Sequence, residues 1–512
     1  MKNLQPQGVW SNFYSLTQIP RPSGKKEEVS AFLADYGRSL GLETIVDSMG
    51  NVIIRKPASP GYEDHLGVIL QGHMDMVPQK NNDTVFDFEK DPIEAYVDGE
   101  WVTAKGTTLG ADNGIGVAAA MAILADKSLV HPPLEVLVTV DEETGMYGAF
   151  ALEGGLLQGK TLLNLDSEAE GELYVGCAGG VDTTAKFAYT PVEVEEGDVA
   201  VKVSVTGCKG GHSGCDIHLQ RANANKLLFR FLKEAVANYE ARLASVEGGS
   251  LRNAIPREAS AIITIPAEGQ DEIMDLVAEC EDLFVAEYDG VEDNIHFTAE
   301  QVECPTTELP EDVQDFLIHA ITACPHGVYR VIPEMPDVVE TSNNLAMLAT
   351  ADNCVTVYCL TRSSVESRKE ELQEIIHSVF AMAGAEVEFS GSYPGWKPNL
   401  KSHILEVMKQ TYQTNYGVEP RVIIIHAGLE CGIIGRNYPG MDMISFGPTI
   451  KYPHSPDERV NIATVAKFYE YLLATLKRFK HCKHKRKWLL QAGVTIFSLS
   501  SETRIPNHTR IF

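Results

Sequence analysis

The chain has 512 residues, of which 44% are hydrophobic, and this length predicts two or more domains rather than one core. Asp and Glu number 71 against 43 Lys and Arg, so the formal net charge of −28 argues against nucleic acid and anionic membranes as partners. The ten cysteines contain no CxxC pair, which argues against a disulfide framework and a thiolate zinc site.

The sequence indicates neither a secreted protein nor a membrane protein. The N-terminal stretch MKNLQPQGVWSNFYSL lacks the continuous apolar core and small-residue cleavage site of a signal peptide. The longest helical apolar run, VAAAMAILA at 117–125, is far shorter than a membrane span. We therefore expect a cytoplasmic protein without a membrane segment.

The first third of the chain alternates strand and helix patterns, which predicts an α/β layer with a mostly parallel sheet. Strands are predicted at the apolar runs LGVIL (66–70), LEVLVTV (134–140) and TLLNL (161–165). A helix is predicted over 113–128, because this segment is rich in alanine and follows Asp112, an acceptable N-cap.

From about residue 187 the pattern becomes that of a separate α+β unit. Strands are predicted at 198–207, 259–265 and 354–364, and helices at 221–243 and 365–384. After SGSYPGWKP (390–398) the chain returns to α/β character, with strands at VIII and MDMISFG and a last helix to about Phe479.

The C-terminal segment differs in kind. Residues 477–512 hold nine basic residues and one acidic residue, and nothing in them extends the preceding helical periodicity. We expect a basic tail that is disordered or atypical of the fold, in preference to a designed interaction arm.

Histidines and carboxylates stand where the predicted strands end. A lone histidine or a single acidic pair is usually a surface feature. Five strand or loop ends that each close with His, Asp or Glu beside Gly are not explained by surface charge alone. Because ligands bind outside the carboxyl ends of strands in open α/β sheets, we expect these side chains to converge. They are His73 and Asp75 after 66–70, Glu142 and Glu143 after 134–140, Asp166 after 161–165, Asp112 before the helix, and His454 in a late Pro-flanked loop.

Two imidazoles and three carboxylates are the ligands expected for a pair of zinc, cobalt or manganese ions, with one carboxylate bridging them. Residues i and i+2 of an extended backbone share a face, so Asp75 can accept a hydrogen bond from the free ring nitrogen of His73. Glu142 and Glu143 are adjacent and cannot both point easily at one ion. One is expected to ligate while its neighbour carries a proton from an activated water to a leaving amine.

Five motifs in order and approximate spacing resemble the binuclear metallopeptidases of glutamate carboxypeptidase and aminoacylase type. The resemblance is closer to the aminoacyl-histidine dipeptidases, also called Xaa-His or beta-alanyl-histidine dipeptidases. It covers about residues 5–476. The motifs are GHMDMV, GTTLGADNGIG, DEETGMYGA, NLDSE and YPHSPDERV.

The resemblance implies two divalent metal ions, Zn²⁺ first, with Co²⁺ or Mn²⁺ as alternatives. It makes Asp75 the residue that orients His73, makes Glu142 the general base and acid, and implies a cis peptide bond between Asp112 and Asn113. The implied ligands are His73 and Asp166 for one ion, Glu143 and His454 for the other, and Asp112 as the bridge.

The resemblance also implies that residues 187–392 form an inserted lid domain through which two identical subunits dimerise. The catalytic domain is then split into 1–186 and 393–476, followed by the tail at 477–512. His212 would polarise the scissile carbonyl, often in the partner's site, and Arg362 would clamp a free carboxylate of the substrate. The substrate-binding residues so implied are His212, Asn253, Arg362 and Gly428.

The expected activity is metal-dependent hydrolysis of unblocked dipeptides, with a preference for Xaa-His substrates such as carnosine (beta-Ala-His). An N-acyl amino acid deacylase or a tripeptidase on the same metal centre is the alternative, and a deacylase would require the acyl group that a dipeptidase rejects. A non-catalytic peptide-binding protein is disfavoured because Glu142 has no structural duty. A phosphoesterase is disfavoured because the chain is acidic and has no phosphate loop.

Overall fold

The structure is a computed structural model that describes Met1 and residues 3–479. The predicted basic tail lies outside the described residues from residue 480 onward. None of the helices in the described part has the length and apolar character that crossing a membrane requires. These helices, numbered in chain order, are α1 Gln7–Thr17, α2 Glu27–Ser39, α3 Ala111–Ala125, α4 Tyr147–Ala151, α5 Ala224–Asn238, α6 Gln270–Glu287, α7 Glu311–Ala323, α8 Glu366–Met382, α9 His403–Tyr416, α10 Glu430–Asn437 and α11 Ile462–Arg478.

One sheet has eight strands and is mostly parallel at its centre. Its order is β1-β2-β6-β3-β7-β23-β8-β22, and β3 runs parallel to both β6 and β7. The sheet carries the three strands predicted for the first third of the chain. Its strands are β1 Glu43–Val46, β2 Val52–Lys56, β3 Val68–His73, β6 Leu134–Thr139, β7 Thr161–Asn164, β8 Glu172–Cys177, β22 Arg421–Ile425 and β23 Asp442–Ser445.

The central strands β3, β6 and β7 are buried at every position because both faces of the sheet are covered by helices. Alternate residues of one strand point to opposite faces. In β3, Val68 and Leu70 therefore join the larger core with α1, α2 and α3, whereas Ile69 joins a smaller core with α4 and α10.

A second sheet has nine strands and is antiparallel. Its order is β16-β11-β15-β13-β19-β20-β9-β21, with β18 paired to β19. Helices α5, α6, α7 and α8 pack apolar side chains against it and form a separate core. Its strands are β9 Gly179–Ala188, β11 Asp198–Thr206, β13 Arg242–Gly248, β15 Ala259–Pro266, β16 His296–Val302, β18 Gly327–Ile332, β19 Met335–Ala351, β20 Cys354–Ser363 and β21 Glu386–Tyr393.

The helix-flanked parallel sheet and the separate α+β unit confirm the predicted fold class. The second sheet begins at Gly179, earlier than the expected change at 187, because the chain leaves the first sheet directly after Cys177. The two segments that connect the first sheet with the second lie side by side, since Cys177 and Trp396 exchange backbone hydrogen bonds of 2.9 and 3.0 Å. The division into domains at 187 and 392 stays a prediction.

The largest difference in a helix concerns α5. The segment predicted as a helix over 221–243 is helical only from Ala224 to Asn238. Asn223 caps its first turn by accepting a hydrogen bond from the backbone of Lys226. Residues from Arg242 onward pair with β15 instead, so the predicted end at 243 is wrong.

Three small sheets complete the structure. The four-stranded one, in the order β24-β25-β5-β4, holds the late loop that carries His454 against the first half of the chain. The strands of these sheets are β4 Ala95–Asp98, β5 Trp101–Ala104, β24 Ile450–Lys451 and β25 Arg459–Asn461, then β10 Val192–Glu193 with β17 Thr307–Glu308, and β12 Gly211–His212 with β14 Ala254–Ile255.

Candidate metal centre and substrate site

Three neighbouring strands of the first sheet end beside one another and present polar side chains. His73 is the last residue of β3, Glu142 and Glu143 follow β6, and Asp166 follows β7. Because β3 is parallel to both neighbours, these ends share one edge of the sheet. The convergence expected from the strand ends is therefore present.

Asp112 lies between the two predicted histidine ligands. Its Oδ1 is 3.1 Å from Nε2 of His73, and its Oδ2 is 3.3 Å from Nε2 of His454. A second carboxylate completes each side, with Asp166 Oδ1 at 3.2 Å from His73 Nε2 and Glu143 Oε2 at 3.0 Å from His454 Nε2. The structure thus brings all five predicted ligands together, in two groups that share Asp112.

The donor set fits divalent metal ions. One ligand atom each of His73, Asp112 and Glu143 lie within 4.8 Å of one another. Glu143 Oε1 is one of the buried side-chain atoms that have no hydrogen-bond partner among the described residues. Such oxygens are costly unless a donor or cation meets them, and imidazole with carboxylate suits zinc, cobalt and manganese. The residues present could therefore hold two such ions.

The site carries an excess of negative charge. Burial raises the pKa of Glu142 to about 8, and the nearby charges of Glu430, Glu143 and Asp112 act in the same direction. Hydrogen bonds to Asp112 and Glu143 raise the pKa of His454 to about 11. Carboxylates crowded in this way favour a cation between them.

Asp75 makes more contacts than the sequence predicted. Its Oδ1 is 3.5 Å from Nδ1 of His73, while its own backbone carbonyl oxygen is closer to that nitrogen, at 3.1 Å. Its carboxylate accepts hydrogen bonds from the Ser23 hydroxyl at 2.8 Å and from the backbone N–H groups of Glu142 and Glu143 at 3.0 and 3.3 Å. Asp75 therefore ties the His73 strand to the Glu142 loop.

The segment around Asp112 enters α3 with irregular geometry. The peptide bond between Asp112 and Asn113 is cis, as the resemblance implied. Both residues have backbone angles outside the helical range, although they lie within the bounds of α3. The Asn113 amide donates a hydrogen bond of 2.7 Å to the carbonyl oxygen of Leu165, one residue before Asp166.

Sequence reasoning missed two buried charged residues beside this segment, Arg21 and Glu458, each 2% exposed. The Arg21 guanidinium donates hydrogen bonds to the carbonyl oxygens of Met74, Asp75 and Gly110. It therefore joins the end of β3 to the start of α3. The only sequence signal for these residues was their place within or next to polar motifs, in IPRPSG and in YPHSPDERV.

His212 is the last residue of β12, and Asn253 directly precedes β14, the strand that pairs with it. His212 pairs with Ala254, and the N–H group of Ser213 donates a hydrogen bond of 2.8 Å to the carbonyl oxygen of Asn253. Nδ1 of His212 accepts from the backbone N–H groups of Gly214 and Cys215, at 3.2 and 3.0 Å. The imidazole is thereby oriented, and its Nε2 is the nitrogen that can face a ligand.

Arg362 and Gly428 both lie next to Tyr393, a residue that the sequence analysis did not identify. Arg362 donates a hydrogen bond of 2.8 Å to the Tyr393 hydroxyl, and its Nε lies 3.4 Å from the Ser213 hydroxyl. A Cβ atom at Gly428 would be 3.1 Å from the Tyr393 ring and 3.4 Å from Met146, near Glu142. The four predicted substrate-binding residues thus cluster where the two large sheets meet, and their roles stay predictions.

Comparison with known proteins supports this chemistry. Residues 69–478 match Peptidase family M20/M25/M40. The chain is 45% identical to the cytosol non-specific dipeptidase of Escherichia coli (strain K12) over 477 residues, which covers 93% of this chain and 98% of that protein.

Two solved structures extend the comparison. Aminoacylhistidine dipeptidase from Vibrio alginolyticus is 48% identical, with a TM-score of 0.89 and coverage of 93% of this chain and 97% of that one. Aminopeptidase PepT from Bacillus cereus ATCC 10987 is 17% identical, with a TM-score of 0.55 and coverage of 93% and 99%. The second likeness shows a shared fold alone.

Proposed function

The chain belongs to Peptidase family M20/M25/M40, and from this premise we propose that it is a dinuclear metallo-dipeptidase that hydrolyses unblocked dipeptides, Xaa-His substrates such as beta-Ala-His among them. The observation that carries the proposal is the position of Asp112 between two imidazole–carboxylate pairs. The names of the two close relatives, a non-specific dipeptidase and an aminoacylhistidine dipeptidase, support the substrate class.

The family binds divalent metal ions, and we propose His73 with Asp166 and His454 with Glu143 as the ligands on either side of Asp112. Two bound ions supply Lewis-acid chemistry, which polarises a peptide carbonyl and makes a water molecule acidic. Zn²⁺ is the proposed occupant, with Co²⁺ and Mn²⁺ as alternatives that the same ligands accept.

Glu142 is the proposed general base and acid. Its neighbour Glu143 contacts His454 through Oε2, whereas Glu142 makes no ion pair with either histidine among the described residues. Its burial favours the protonated form and so suits it to take a proton from water and give it to the leaving amine. Asp75 holds the backbone of Glu142 in place for this transfer.

Arg362 is the proposed clamp for the free carboxylate of a dipeptide. Its side chain is buried, and Tyr393 and Ser213 hold it in one orientation, so its remaining N–H groups are available in a fixed fork. His212, Asn253 and Gly428 are proposed to complete the substrate site. A clamp of this kind selects substrates that have a free C-terminal carboxylate.

We further propose a homodimer formed through the second structural unit, as the family resemblance implies. That unit exposes large apolar side chains at Leu283, Val285, Phe316 and Met382, which a partner could cover. The net charge of −28 speaks against nucleic acid and membrane partners. A cytosolic location is proposed from the name of the E. coli relative.

The test is hydrolysis of beta-Ala-His, Gly-His and acetyl-His by protein stripped of metal and then supplied with Zn²⁺, Co²⁺ or Mn²⁺. Metal-dependent release of histidine from the two free dipeptides, and none from acetyl-His, is the expected result. Activity on acetyl-His alone would replace the proposal with an N-acyl amino acid deacylase. A tripeptide cleaved in preference to Gly-His would replace it with a tripeptidase.

A further inference from the structure

A single buried carboxylate receives four consecutive backbone N–H groups next to the candidate metal centre. Oε2 of Glu458 accepts hydrogen bonds from Leu109 and Gly110 at 2.8 and 2.9 Å. Oε1 of the same side chain accepts from Ala111 and Asp112 at 2.7 and 3.2 Å. Every lone pair that Glu458 can offer is therefore directed at the segment that ends in Asp112.

These contacts join two segments that are distant in sequence. Glu458 stands four residues after His454, in the loop between β24 and β25, whereas Asp112 belongs to the start of α3. The His454 side chain is 51% exposed, so its own packing does not fix the loop. Glu458 is 2% exposed and its backbone carbonyl accepts a hydrogen bond from Thr103, which anchors the loop at that point.

We propose that Glu458 is a positioning residue of the metal centre, which sets the bridging carboxylate of Asp112 at the right distance from His454. The inference rests on the proposed dinuclear function. Four N–H donors on one carboxylate fix both the position and the rotation of the 109–112 backbone, and so of the Asp112 side chain. The same buried side chain holds the loop that delivers His454.

A negative charge is favoured at this position because four backbone N–H groups converge on it, and hydrogen bonds to an ionised acceptor are stronger than those to a neutral one. A neutral amide could accept from two N–H groups through its oxygen, but its NH₂ group would face the other two donors. Glu458→Gln therefore keeps the size of the side chain and removes two of the four hydrogen bonds.

The experiment compares wild-type protein with Glu458→Gln in competition with a chromophoric chelator for Zn²⁺ and in the absorption spectrum of the Co²⁺-loaded protein. We expect one of the two ions to bind about 10- to 100-fold more weakly in the variant, with an altered cobalt spectrum. In steady-state assays kcat for Gly-His should fall while KM changes little. Wild-type affinity with only a lower unfolding midpoint would overturn the proposal, since it would show a purely structural role.

The matched control is Asp457→Asn, which removes one negative charge from the same loop at an exposed side chain. It should bind metal as wild-type protein does. If Glu458→Gln fails to fold, Glu458→Asp keeps the charge and shortens the reach by one methylene. The shorter variant should show an intermediate affinity, and wild-type affinity for both ions in it would overturn the proposal.

Failure of the inference is distinguishable from failure of the proposed function. Wild-type protein that binds two ions, with one of them lost in His454→Ala, supports the metal centre whatever Glu458 does. Wild-type protein whose metal binding is indifferent to His454→Ala would reject the centre itself, and the Glu458 inference with it.

Discussion

A Cβ atom at Gly72 would lie 2.1 Å from Oδ1 of Asn113, far inside van der Waals contact. Because Gly72 has no side chain, Asn113 can approach β3 directly before His73. Asn113 in turn holds the carbonyl oxygen of Leu165, so one glycine allows the segments of His73, Asp112 and Asp166 to meet.

Gly72→Ala should therefore destabilise the protein and disturb the metal centre together. The added methyl group must displace Asn113, and overpacking of this kind costs about 1–3 kcal/mol. Urea unfolding and metal titration measure the two effects. Gly269→Ala is the control, because its Cβ would meet nothing within 4 Å at a φ of −86°. An unfolding midpoint and metal affinity equal to wild type in Gly72→Ala would contradict the expectation.

Glu142→Gln should abolish turnover and leave the metal in place. The amide cannot carry the proton, and loss of general acid–base catalysis lowers kcat by about 10²- to 10⁴-fold. Metal content per chain, measured by mass spectrometry, should equal that of wild type. Glu143→Gln is the matched comparison, since it should lose metal through its contact with His454. Turnover that survives in Glu142→Gln would show that another group moves the proton.

Arg362→Gln should weaken recognition of the substrate carboxylate. Loss of a charge-assisted hydrogen bond should raise KM for Gly-His by about 10- to 100-fold. The sharper measurement compares Gly-His with Gly-His amide, because the wild-type preference for the free acid should disappear in the variant. Arg368→Gln, an exposed arginine paired with Glu371, is the control. A variant that still prefers the free acid would assign carboxylate recognition elsewhere.

The strand-end pattern predicted the convergence of the candidate ligands because they are side chains at the ends of apolar runs, as His73 and Asp166 show. What it missed depends on backbone groups, which leave no trace in side-chain patterning. Glu458 and Arg21 act on N–H and carbonyl groups, and each looks in sequence like an ordinary charged residue.

The error in the predicted helix end has a similar cause. The helix predicted to 243 was extended because Arg242 and Leu243 suit a helix as well as a strand, and only pairing with β15 decides. The second sheet begins at Gly179 because Gly179 and Gly180 allow the close approach of Tyr393 and Gly395, a contact between segments far apart in sequence.

His326 should make the protein less stable below neutral pH. Burial lowers the pKa of His326 to about 3, and the charge of Lys226 adds to the effect. The backbone N–H of Leu345 donates to its Nδ1, which requires a ring unprotonated at that nitrogen. Between about pH 3 and the ordinary value of 6.5, the unfolded chain binds a proton that the folded chain does not. The contribution to stability is therefore complete above pH 6.5 and is lost as the pH falls.

The measurement is the free energy of unfolding in urea from pH 8 to pH 5, for wild type and His326→Gln. Below pH 6 the wild-type value should fall more steeply, by up to about 1.4 kcal/mol per pH unit. Between pH 7.5 and 8 the two slopes should coincide, which controls for a general effect of the substitution. Equal slopes at pH 5 would mean that His326 is protonated in the folded protein.

His212 should serve the active site of the partner subunit if the proposed dimer is correct. The variants His212→Ala and Glu142→Gln should each be inactive alone. In a mixed dimer, one site would combine both substitutions and the other would have neither, so about half of the wild-type activity should return. Co-expression with two different affinity tags isolates that dimer, and light scattering gives its mass. A mixed dimer that is pure and inactive would show that His212 acts within its own chain, because both sites would then carry one substitution.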